Sequence, residues 1–140
     1  MRKEIQTKII DLLKAEHTFV VKTIYFGLPI KVLDYPYAAV VWASSQGPNV
    51  EQTTKLRSVH RVDFAIQVVH RSRVIGEAEK TVEDLIEIAH EVLFGNPTLD
   101  GLVEDSYPVE VQPTEPVVQE DYAIAGAILK VACFAEMVKP

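Results

Sequence analysis

The chain has 140 residues and a mass of 15.7 kDa, with 48% hydrophobic and 24% charged side chains and a net charge of -6. That profile excludes a disordered chain, and the length predicts one domain spanning residues 1–140 with a core of its own. The longest apolar runs, YAAVVWA and YAIAGAIL, fall short of the roughly 20 residues of a membrane-spanning helix, and MRKEIQTKII lacks the apolar stretch and cleavage site of a secretory signal, so a soluble protein made in the cytoplasm is expected.

Ile5, Ile9, Leu12 and Leu13 recur at helical spacing, which predicts an amphipathic helix over residues 3–16. Residues 17–36 mix β-branched and aromatic side chains with the turn signals Gly27, Pro29 and Pro36, and read as a short irregular or extended connection. YAAVVWAS, residues 37–44, is a compact apolar strand, and SQGPNVEQTT after it marks a long polar hairpin around Ser45 to Leu56. From Ser58 to Val74 alternate residues separate into two faces. Val62, Phe64, Ile66 and Val68 seek a core, while Arg57, Arg61, Asp63, Gln67, Arg71 and Arg73 face the other way, so the sheet is expected to be covered on one side. His60 and His70 fall on the apolar side at the strand's ends, each expected to make a local hydrogen bond.

EAEKTVEDLIEIAHEVLFGN is the second helix, with acids near its start and Gly95-Asn96-Pro97 as its stop. Val82, Leu85, Ile86, Ala89, Val92 and Leu93 form its apolar arc, Glu83, Asp84, Glu87 and Glu91 the opposite one, and Ile88 and Phe94 fall outside as stray surface hydrophobes. A strand around Pro108 to Gln112 follows, its prolines pointing to a sheet edge. In DYAIAGAILKVACFAEM the alanines favour a helix, but a helix over 122–135 would be apolar all round, so a strand is expected, with Ala123, Ala125 and Ala127 letting a helix approach closely. The whole predicts an α+β fold: a single, mostly antiparallel sheet of about four strands with two helices packed on one face.

The stretch most like chemistry is EIAHE, because Glu87 and His90 have the Glu-x-x-His spacing of carboxylate-bridged metal sites. Such a centre needs a second copy of that motif, and the residues three before His17, His60 and His70 are Lys14, Arg57 and Gln67. The stretch therefore reads as a solvated helix face, and no metal or cofactor is expected. Cys133, alone in the sequence, excludes an internal disulfide and a thiolate-clustered zinc site, and reads as a small buried hydrophobe. Nucleophile-elbow, phosphate-loop and dinucleotide glycine motifs are absent from the sequence, so no enzyme is expected.

Lys55, Arg57, Arg61, Arg71 and Arg73 form the strongest non-structural feature. Three readings compete for it: a solvated sheet face, a protein interface, for which arginine's planar fork is suited, and a nucleic-acid track. The last lacks aromatic residues on the same side of the strand. Charge is also split along the chain: residues 1–80 hold 12 basic and 8 acidic side chains, residues 81–140 hold 2 and 12. The two halves complement each other either within one subunit or between neighbours in a head-to-tail ring.

The order of elements, with KTVEDLIEIAHEVLF, then LDGLVEDSYPVEVQP, then a terminal apolar strand, resembles the tail terminator or tail-completion proteins of long-tailed bacteriophages and related viruses, the family of the phage lambda minor tail protein U. The resemblance implies a structural virion protein that forms a homo-oligomeric, typically hexameric ring at the head-proximal end of the tail tube. Such a ring stops tube polymerisation and joins the tail to the head connector, with tail tube and head-connector proteins as partners and no catalytic residues. It places the hairpin and the arginine row among the contacts and implies a location in the virion tail or neck, without membrane association or sequence-specific nucleic-acid binding. The alternatives are a small ligand-binding or regulatory α+β module, which requires a concave apolar pocket, and an enzyme using His90 with Glu87.

Overall fold

The computed structural model describes residues 2–32, 34–46 and 57–138. Helix α1 (Arg2–Ala15) leads into β1 (Thr23–Phe26) and β2 (Tyr37–Gln46); β3 (Arg57–Ser72), α2 (Ile75–Phe94), β4 (Asp105–Gln119) and β5 (Tyr122–Val138) follow. The strands form one sheet in the order β1-β2-β3-β5-β4. Only β1 is parallel to its neighbour; the other pairings are antiparallel.

The sheet is an α+β scaffold of five strands where about four were expected, and the added one is β1. The segment read as an irregular connection runs beside β2, pairing Thr23 with Tyr37 and Phe26 with Val40. Backbone bonds close both ends of that short ladder: Lys22 N–H donates to the Pro36 carbonyl and Gly27 N–H to the Val40 carbonyl, each at 2.8 Å. Gly27 then turns the chain away at φ +85°, a conformation other residues rarely adopt.

The far edge, β4, is also longer than the expected 108–112. It stays paired with β5 across register shifts between Pro108 and Glu110 and between Thr114 and Val117. An edge strand uses only one of its two rows of backbone groups, so Pro108, Pro113 and Pro116 interrupt the ladder without ending it. Residues 122–135 are strand, as expected, and β2 extends through Ser45 and Gln46. The remainder of the expected hairpin, 47–56, lies outside the described residues.

Both helices lie on one face. From α1 come Ile5, Ile9, Ile10 and Leu13, from α2 Ala78, Val82, Leu85, Ile86, Ala89 and Leu93. They pack on Ala38 and Val40 of β2, Val62, Phe64, Ile66 and Val68 of β3, and alternate residues of β5 from Ala125 to Ala135. Each large apolar side chain fully buried there stabilises the fold by about 1.5–3 kcal/mol, offset by the entropy of ordering it. Gln6 is the buried exception on α1: its amide donates to the Val40 carbonyl at 2.6 Å and fixes the helix against β2. Ile88, expected to be a stray, packs half-buried against the core, whereas Phe94 is exposed. Asn96, with its side-chain amide on the Val92 carbonyl at 2.7 Å, helps end α2 where the sequence placed the stop.

Candidate assembly surface

Among the described residues no helix covers the other face of the sheet, and its residues follow from the strand register. Tyr37, Val69, Gly126 and Thr114 form one row across β2, β3, β5 and β4; Ala39, Gln67, Ile128 and Gln112 form the next; Val41, Ala65, Lys130 and Glu110 form the third. Arg71, Ile124 and Val117 lie at one end of these rows, and Arg61 with Phe134 at the other. The middle of the face is thus mostly aliphatic and amide, a composition that reading β3 alone did not reveal.

Five basic residues were expected to act together here. Lys55 lies outside the described residues, and Arg57 opens β3 opposite Val138. Arg61 and Arg71 are separated by ten residues of strand, about 33 Å at the usual rise. The row is therefore two separate sites. At one, Arg61 Nε bonds Asp63 Oδ1 at 2.8 Å and the guanidinium lies 5.9 Å from the Phe134 ring centre. That hydrogen bond, with the charge of Asp63, raises the Arg61 pKa.

The other site is an arginine–tyrosine corner. Arg71 sits between two rings, 4.8 Å from the centre of Tyr35 and 4.6 Å from that of Tyr122, and Arg73, just beyond β3, lies 5.7 Å from Tyr122. Tyr37 braces the corner, 5.7 Å from Tyr35 and 5.6 Å from Tyr25, and desolvation raises its pKa. Guanidinium faces on aromatic rings are held in orientation while their N–H edges stay available. Arg71 and Arg73 are both exposed, and neither has an ion-pair partner among the described residues. The aromatic residues missing from β3's own alternation come from the segment before β2 and from the first residue of β5. Sequence reasoning missed them because bringing Tyr122 beside Arg71 requires the β3–β5 register, in which Arg71 pairs with Ile124, two residues further along β5.

Glu87 and Glu91 are exposed on α2, and His90 is stacked on Phe94 with ring centres 6.2 Å apart. Among the described residues no three His, Cys, Asp or Glu side chains are grouped to hold a metal ion. His70 departs from its expectation: its Nδ1 is buried without a hydrogen-bond partner among the described residues, and desolvation lowers its pKa. Two open clefts of about 430 Å3 flank α2, one against α1 beside Leu12, Ile88 and Val92, the other against β4 and β5. No helix among the described residues is long and apolar enough to cross a membrane.

No protein-family profile matches the chain, and no curated protein matches it. Among solved structures it is similar to a chain of the virion of a native gene transfer agent particle, at 15% sequence identity and a TM-score of 0.46, over 93% of this chain and 94% of that one.

Proposed function

We propose that this protein is a structural component of a virion, a tail terminator that forms a ring on the head-proximal end of a tail tube and meets the head connector. The observation that carries the reading is the two-sided sheet: one face sealed by both helices, the other without a helix over it among the described residues, aliphatic in its middle and ending at one corner in Arg71 and Arg73, which have no ion-pair partner among the described residues. A bare face of this kind fits a subunit completed by its neighbours. Apart from the added β1, the order of helices and strands is the one on which the resemblance was read. In this role the chain works by end-capping: one ring surface binds the last tube layer, and the other offers no template for a further layer. It needs no catalytic residue, metal or cofactor.

The test is to add the purified protein to polymerising cognate tail-tube subunits and follow tube length by electron microscopy. Growth is expected to stop, with ring-shaped density at one tube end. Unchanged lengths with bare ends would overturn the reading.

A further inference from the structure

The arginine corner has a complement on the opposite side of the sheet. Where the first half of α2 passes β4 and β5, Val82, Ala125 and Ala127 line one of the open clefts of about 430 Å3, together with Glu79, Glu83 and Glu115. The alanines of β5 create the space, since larger side chains there would fill it. None of the three carboxylates has an ion-pair partner among the described residues. Apolar lining beside carboxylates suits a guanidinium on an aliphatic stem: the methylenes cover the apolar part and the planar fork meets the carboxylates.

Arg71 and Arg73 have that chemistry and lack that partner. They cannot readily use their own cleft, because the sheet lies between. Arg71 is on the uncovered face in register with Ile124 and Val117, while Ala125 and Ala127 point to the helix side. Building on the assembly reading above, we infer that the Arg71–Arg73 corner of one copy docks into the α2–β4 cleft of a second copy. Arg73, beside a single ring, enters the cleft, and Arg71, clamped between two, meets its carboxylates. The two patches do not overlap, so each copy offers both at once and the contact is head-to-tail, the type that builds rings.

Charge exchange tests this contact. In Arg71→Glu/Arg73→Glu the corner becomes acidic, and in Glu79→Arg/Glu83→Arg the cleft becomes basic; all four positions are exposed. Sedimentation velocity over a concentration series at low salt is expected to show wild-type self-association, weakened about tenfold or more in each variant, where like charges face each other. An equimolar mixture of the two variants is expected to associate nearly as the wild type does, because each altered surface then meets its opposite. That recovery also shows that both variants are folded. A mixture no tighter than either variant alone would overturn the inference. So would a wild type that stays monomeric throughout, or one that instead binds duplex DNA through Arg71 and Arg73. Variants that still cap tube ends like the wild type would overturn this contact while leaving the tail-terminator reading intact.

Discussion

Gly126 has no Cβ where the strands leave no room for one: a Cβ there would lie 2.9 Å from Thr114 Oγ1, whose hydroxyl donates to the Gly126 carbonyl at 2.8 Å. Gly126→Ala is expected to destabilise the fold by about 1 kcal/mol as that bond is displaced. In a Thr114→Ala background the obstruction is gone, and the same change is expected to stabilise by about 0.5–1 kcal/mol through reduced chain entropy. Urea denaturation of the four proteins reads the sign change, and equal effects in both backgrounds would refute it. His70 and Cys133 report burial through pH. The folded chain holds the His70 ring below its ordinary pKa, so the unfolded chain takes up the proton first as pH falls past about 6.5. Its contribution to stability is present above that pH and lost below it. His70→Leu is expected to flatten the acid side of the stability profile, and an unchanged slope would contradict this. Desolvation, with Asp63 adding to it, pushes the Cys133 thiol up to about 12. A thiol reagent is therefore expected to label Cys133 only as fast as the chain opens, whereas rapid labelling of the native state would contradict that burial.

Helix α1 shows how an element divides its work between neighbouring residues. Leu13 is fully buried and Leu12 only partly, at the cleft between the helices. Leu13→Ala is expected to destabilise by about 2–5 kcal/mol and Leu12→Ala by much less, as read by thermal unfolding. Equal losses would mean the helix is seated differently. The helices were legible because each buries a stripe at its own period, independent of any partner, and β3 was legible because Val62, Phe64, Ile66 and Val68 alternate. β1 carried no such sign: Thr23–Phe26 is too short to show alternation, and its strand state depends on the β2 edge. The prolines of β4 correctly marked an edge but hid its length, since the local ladder breaks are tolerated only because β5 continues alongside.

At the scale of the whole molecule, the division into a helix-covered face and a bare face was legible in the sequence, and the makeup of the bare face was not. Arg61, Arg71 and Arg73 share a side of β3 by parity, but their grouping depends on what neighbouring strands place between and around them. Asp63 neutralises Arg61, while Tyr35 and Tyr122, far apart in sequence, clamp Arg71. The cleft of α2 and β4 was equally invisible, because Glu79, Glu83 and Glu115 converge only through the fold. The central claim, that the bare face is where this chain meets other subunits, is tested most directly by hydroxyl-radical footprinting of the free protein against the protein on tube ends. Tyr35 and Tyr122 are expected to become protected on assembly, with exposed Phe94 as the comparison at the far end of α2. Tyrosines that react equally in both states, with protection confined to other parts of the chain, would contradict it.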